Sequence, residues 1–224
     1  MALIESLALF PLSDVVLLPE VSVPLYIFEP RYRQMTKDAL GGSMQIGMVT
    51  VRPDRLDAMA GDPPIFEIGC LGRIAHAQAR PDGTYQIMLI GESRFRILEE
   101  SAREGDRLYR SARVALLEDH DPTGDAELAA MQNARATLLE LVDRLIRRIG
   151  SADDPDKATE AFAKLESTRL VNALAQSISF TPIERQQLLE ADSILGRCET
   201  LSELLRFRLA AMDTTGGGPG PLPN

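Results

Sequence analysis

Tryptophan is absent from this chain of 224 residues, cysteine and histidine occur twice each, and aromatic residues make up only 5%. Cys70 and Cys198 lie far apart, with no C-x-x-C and no histidine at ligand spacing. That argues against a zinc site or any other bound metal and leaves two buried free thiols as the expectation. Long apolar runs are missing too: residues 15–18 and 25–28 are interrupted within a few positions by proline or charge, far short of the roughly 20 apolar residues a spanning helix needs. The amino-terminal stretch carries Glu5 where a secretory signal would be basic, with Pro11 and Asp14 inside its apolar part. A cytoplasmic chain without a membrane partner is expected. Positive charge is also scarce, the net being −9, with 13 Lys+Arg against 16 Asp+Glu in residues 1–118 and 11 against 17 in residues 119–224. Nucleic-acid binding depends on clustered cations that displace counterions from phosphate, so this balance argues against it.

What is present changes character along the chain. Runs rich in Val, Ile and Leu at residues 7–9, 15–18, 23–27, 45–51, 65–79, 85–90, 94–98 and 109–117 predict strands. Pro81-Asp82-Gly83 predicts a hairpin turn, because proline presets φ and glycine admits the left-handed region. A short helix opening at Pro30 is expected to end at Gly41-Gly42. Beyond residues 118–124 the apolar period shifts from about 2 to about 3.6. Leu128, Met131, Leu138, Leu141, Val142, Leu145, Ile146 and Ile149 mark one face of a long helix closed by Gly150. A second helix is expected after Pro155, with Phe162, Leu165, Val171, Leu174 and Ile178 inside. Thr181-Pro182-Ile183-Glu184 is a capping box opening a short helix to about Glu190, and Asp192-Ser193 caps another with Ile194, Cys198, Leu201, Leu205, Leu209 and Met212 inside.

No catalytic constellation accompanies this pattern. The P-loop and the Rossmann fingerprint are absent. His76, in an expected strand, and His120, in an acidic loop, have no G-x-S-x-G elbow beside them. Lys37, Lys157 and Lys164 fall on expected helices among polar neighbours and offer no Ser–Lys dyad. Glu99-Glu100 and Asp153-Asp154 are adjacent pairs that a regular element would aim apart. A non-enzyme without cofactors is expected.

Three blocks carry a family likeness: Pro11-Leu12, Asp14-Val15-Val16, Pro19 and Pro24-Leu25; then Glu67 to Gly69 and Gly72 to Ile74; then Pro81-Asp82-Gly83 and Gly91 through Arg94 to Ile97. In this order they resemble the amino-terminal substrate-binding domain of the ATP-dependent Lon protease, and a leucine-rich helix near the end extends the resemblance from Leu7 to about Met212. The resemblance implies an α+β fold: a twisted, PUA-like β-barrel over residues 1–118, then a helical bundle over residues 119–213. Residues 214–224, rich in Gly and Pro, are expected to form a disordered tail. The ATPase and protease modules of full-length Lon have no counterpart here, so a free-standing domain is expected, without ATP hydrolysis or peptide cleavage.

The implied function is a non-catalytic module that binds unfolded or tagged polypeptide segments in protein quality control, with a separate protease or chaperone as a further partner. The candidate peptide-binding residues are Tyr26, Phe28, Tyr32, Phe66, Arg31 and Arg33. Alternation along Pro24-Leu25-Tyr26-Ile27-Phe28 places Tyr26 and Phe28 on one face and Leu25 and Ile27 on the other, so one apolar pair is expected to reach the surface. Arg31 and Arg33 would hold a carboxylate or carbonyl; strand addition at an open edge is the other capture mode. The alternative function is a PUA-like nucleic-acid-binding domain, with Arg94, Arg96, Arg103, Arg107, Arg110 and Arg113 as a local basic stripe.

Overall fold

The computed structural model describes residues 2–53, 61–119, 122–150 and 154–214. The chain divides into two units, Met1–Glu118 with Gln176–Glu190, and Asp119–Ala175 with Ala191–Asn224. His120, Asp153 and residues 215–224 of the expected tail lie outside the described residues.

In the first unit, β1 (Leu3–Leu12), β2 (Ser22–Ile27), β3 (Gln45–Thr50), β4 (Ile68–Ala79), β5 (Tyr85–Ser101) and β6 (Arg110–Leu117) form one sheet in the order β2-β5-β4-β3-β1-β6. A further pairing of β5 with β6 closes five of these strands into a ring. Alternation turns Leu7, Leu9, Val49, Leu71, Phe95 and Val114 into one buried cluster. β1 runs parallel to β3, whereas the other pairings are antiparallel.

Two strand expectations need correction. Residues 85–90 and 94–98 belong to a single strand, β5, whose first half pairs with β2 and whose second half pairs with β6. Residues 15–18 form no strand, yet Val16, Leu17 and Leu18 are buried. Their apolar side chains serve a connection that crosses the sheet, and its backbone makes a tight turn: Glu20, at φ 62°, donates to the Gly91 carbonyl and Gly91 donates to Val21. Gly91 is therefore a mid-strand site of close backbone approach. A Cβ there would fall on the Leu18 carbonyl oxygen, closer than a real Cβ sits to any oxygen. Because that obstacle is backbone, Gly91→Ala is expected to cost about 2–3 kcal/mol, read as a lower denaturation midpoint with an unchanged m-value.

Helix α1 (Pro30–Leu40) begins with proline at its first turn and ends at Gly41, burying Tyr32, Met35, Thr36 and Ala39. The β4–β5 hairpin turns as expected, with Gly83 at φ 78° and Asp82 accepting from both the backbone N–H and the hydroxyl of Thr84. Helix α5 (Pro182–Glu190) opens on the capping box, in which Thr181 N–H donates to Glu184 and Glu184 N–H donates back to the Thr181 hydroxyl. This segment, counted with the bundle in the sequence reading, packs on the sheet of the first unit. Buried Gln186 accepts from Thr50 at 2.7 Å and donates to the Ile68 carbonyl at 3.0 Å, while Arg94 donates to the Leu189 carbonyl at 3.1 Å.

The second unit contains α2 (Asp125–Ile149), α3 (Pro155–Ala163), α4 (Ser167–Ser177, whose last two residues fall in the first unit) and α6 (Ile194–Thr214). Gly150 closes α2 in the left-handed conformation, as expected. The inner face of α2 is shorter than read, since Leu128 and Ile149 at its ends are exposed. The single helix expected after Pro155 is broken into α3 and α4, and the cause is visible. Arg135 on α2 donates to the carbonyls of Ala163 and Leu165 and to the Ser167 hydroxyl, satisfying groups an unbroken helix would pair internally. On α6 the fully buried Arg197, a residue the periodicity did not single out, grips Asp119 through two donors at 2.9 and 3.3 Å.

Candidate binding face

Strand β2 ends the sheet order, and its pleat sorts its side chains as the sequence suggests. Val23 and Ile27 are buried, while Tyr26 is 50% and Phe28 60% exposed. The two exposed rings stack at 6.0 Å, and the Arg80 guanidinium lies 5.6 Å from the Tyr26 ring. Cross-strand register extends this face over two more strands. Pro24 opposes Met88 and Tyr26 opposes Gln86 on β5; His76 and Gln78 on β4 stand opposite Met88 and Gln86 in turn. The result is a shallow groove of about 360 Å³ beside Tyr26, floored by Pro24, Met88 and Ile87 and edged by His76, Gln78 and Gln86. Its chemistry suits alternating apolar side chains with amide hydrogen bonds at the edge.

The remaining candidates do not converge there. Tyr32 is buried, its ring 4.5 Å from that of Phe10 and its hydroxyl donating to the Pro11 carbonyl at 3.3 Å, so it offers no surface to a peptide. Arg31 is held by Glu29 at 2.9 Å, donates to the Gly61 carbonyl and covers the Tyr32 ring. Phe66 is half-buried on the β3–β4 connection under the Arg52 guanidinium. Arg33 packs its guanidinium against Gly83 of the hairpin. The groove residues His76, Gln78, Gln86 and Met88 were missed as a site. Their signal was the register of β4 on β5, which a sequence read strand by strand does not expose.

Burial pushes the Tyr32 hydroxyl up to about 12, against the opposing pull of Arg31. The folded state thus holds this proton more tightly than the unfolded chain, whose tyrosine titrates near 10. The contribution is complete below pH 10 and is lost as pH rises towards 12, to the extent of about 2–3 kcal/mol. Denaturant melts on either side of pH 10 should show that loss, and Tyr32→Phe should reduce it.

Five of the six arginines of the expected basic stripe are engaged within the protein, while Arg96 is exposed. Arg94 serves α5; Arg103 pairs with Asp62, Arg110 with Glu100 at 2.6 Å and Arg113 with Glu99 at 3.7 Å, and Arg107 donates to the Ala102 carbonyl. Among the described residues no group of three or more His, Cys, Asp or Glu is placed to hold a metal ion, and no helix is long and apolar enough to cross a membrane. Cys70 and Cys198 are both buried and neither forms a disulfide.

Comparison with known proteins assigns the scaffold. Residues 6–206 match the family model described as the ATP-dependent protease La (LON) substrate-binding domain. This chain belongs to that family. Lon protease of Rhizobium meliloti is 27% identical over 193 residues, covering 84% of this chain and 22% of its own length. Lon protease 2 of Herpetosiphon aurantiacus is 27% identical over 209 residues, covering 92% and 24%. The chain therefore spans roughly a quarter of the Lon proteases it matches. Among solved structures, the Lon N-terminal domain protein from Xanthomonas campestris superposes with a TM-score of 0.61 at 24% identity, over 91% of this chain and 99% of that one. The N-terminal domain of the Mycobacterium avium complex Lon protease gives 0.69 at 17%, over 90% and 98%. The α+β fold of Lon N-terminal domains is thereby shown.

Proposed function

We propose that this Lon-family domain is a non-catalytic module that holds unfolded polypeptide segments against the outer face of β2, β5 and β4 in cytoplasmic protein quality control, for handover to a protease or chaperone. The observation that supports it most is the stacked, half-exposed pair Tyr26 and Phe28 beside an apolar-floored groove. Solvent-exposed aromatics adjoining a concave apolar surface are costly to keep without a partner, and such rings dominate binding energy where they are used.

The mode of capture is side-chain docking rather than strand addition. A proline on a sheet-edge strand is tolerated where its nitrogen faces away from the partner strand, and it then interrupts the outward row of donors. Pro24 sits in the middle of β2 and works against pairing with an added strand. Nucleic acid is disfavoured because five of the six arginines of the stripe are engaged with carboxylates and carbonyls, leaving little cation density to displace counterions.

The test is fluorescence anisotropy of a labelled, permanently unfolded polypeptide titrated with the domain, with its folded counterpart and a single-stranded RNA as parallel probes. Saturable binding of the unfolded chain alone is expected. Binding of RNA alone, weakening steeply with salt, would refute the proposal.

A further inference from the structure

The hairpin at one end of the β2–β5–β4 face carries cations that no carboxylate matches. Alternation along β4 carries His76 and Gln78 on to Arg80, just past its end, and the Arg80 guanidinium lies 5.6 Å from the exposed Tyr26 ring. Arg33 reaches the same hairpin from α1 and lays its guanidinium against Gly83, where the missing side chain leaves room for it. Elsewhere in the first unit Arg31 pairs with Glu29, Arg73 with Glu92, Arg103 with Asp62, Arg110 with Glu100 and Arg113 with Glu99. Arg33 and Arg80 meet no carboxylate at ion-pair distance among the described residues.

Asp82, the carboxylate of the hairpin itself, does not neutralise them. It turns back on the turn, accepting from the Thr84 hydroxyl at 2.7 Å and from the Thr84 N–H at 3.0 Å. Those two bonds, with a smaller pull from Arg80 and Arg33, hold its carboxyl below the usual carboxylate value. Two guanidinium groups therefore stand beside one committed carboxylate, on a chain whose net charge is −9. The adjoining groove adds no opposing charge, since among the described residues that line it none is Asp or Glu.

Charge complementarity defines the occupant. A segment whose apolar side chains rest on Tyr26 and Phe28 brings its neighbouring residues to the hairpin. Arg80 offers them a planar fork of N–H donors, the geometry that matches a carboxylate. We infer that this face selects polypeptide segments in which an apolar or aromatic run adjoins a carboxylate, supplied by Asp, Glu or a chain's own C-terminus and held at the Arg80–Arg33 end. The inference rests on the β2–β5–β4 face being the docking surface. It adds a rule for which unfolded segments are kept: segments flanked by Lys or Arg meet like charge at the hairpin and are rejected.

The test is fluorescence anisotropy of the full chain with labelled, end-capped peptides that share one Leu-Phe-Val core and differ in a flank of two Asp, two Asn or two Lys. A fourth peptide has the Asn flank and a free C-terminal carboxylate. The Asp peptide should bind about five- to tenfold more tightly than the Asn peptide, and the Lys peptide more weakly than either. The preference should shrink as ionic strength rises. A gain in the fourth peptide marks chain ends as a source of the carboxylate, and a gain confined to the Asp peptide marks side chains; either supports the inference. Arg33→Gln with Arg80→Gln should bring the Asp-to-Asn ratio to about 1 while the Asn peptide still binds. Equal affinity of the unmutated protein for the Asp and Asn peptides, or a ratio that survives the arginine substitutions, would overturn the inference and leave the docking face standing. Failure of every peptide to bind would overturn both. Tighter binding of a single-stranded RNA than of the Asp peptide would also overturn it, marking the two arginines as a phosphate surface.

Discussion

Arg197→Ala is expected to destabilise the protein by about 3–5 kcal/mol, among the largest effects of any single substitution in the second unit. Arg197 is 0% exposed and donates to Asp119 through two nitrogens and to Asn172 at 3.4 Å. Truncation removes a large packed side chain and the two donors it gives the Asp119 carboxylate, whose own side chain is only 20% exposed. Breaking a buried pair from one side costs far more than the pair contributes on balance, because the remaining charge loses its compensation. Arg197→Met combined with Asp119→Asn keeps the volume and removes the charge, so it should recover a large part of the loss. Chemical denaturation of the two single variants and the double variant decides this, and additive losses would show that the two groups are not energetically coupled.

The double substitution Tyr26→Ala and Phe28→Ala is expected to weaken binding of an unfolded polypeptide at least 30-fold, about 2 kcal/mol, while leaving stability within about 0.5 kcal/mol. The two effects separate because both rings are half or more exposed and support little of the core. Tyr32→Phe, by contrast, should leave binding unchanged, since that ring is buried against Phe10. A variant series in which Tyr26 and Phe28 matter no more than the exposed Phe207 on α6 would disqualify the β2 face as the docking surface.

Local patterns were legible in the sequence wherever a short-range rule decides the structure. The Pro30 start of α1, the Asp82-Gly83 turn, the Thr181–Glu184 capping box and the Gly150 stop all appear where the residues predict them. Pleat alternation likewise divided Tyr26 and Phe28 from Ile27. What escaped were features set by long-range partners. Residues 15–18 have strand composition, but they form no strand and instead make a buried connection between β1 and β2. The cause of the small residue at Gly91, the Leu18 carbonyl, is more than 70 positions away. The α3–α4 break depends on Arg135 of another helix. For the site, one strand was readable and the other two were not. Gln86, Met88, His76 and Gln78 join β2 only through register. Tyr32 and the arginines were proposed on residue type, which carries no information about burial or about which carboxylate is near.

The most direct test of peptide capture on the β2–β5–β4 face is methyl NMR of the domain labelled at methionine, titrated with an unfolded polypeptide. Met88 lies half-buried in the groove, whereas Met35 and Met48 are sealed in the core of the same unit and Met131 lies in the other. Selective, saturable movement of the Met88 signal, removed by Tyr26→Ala with Phe28→Ala, is the result this account requires. Binding that shifts Met131 or Met212 while Met88 stays still would place the polypeptide on the helical unit and contradict it.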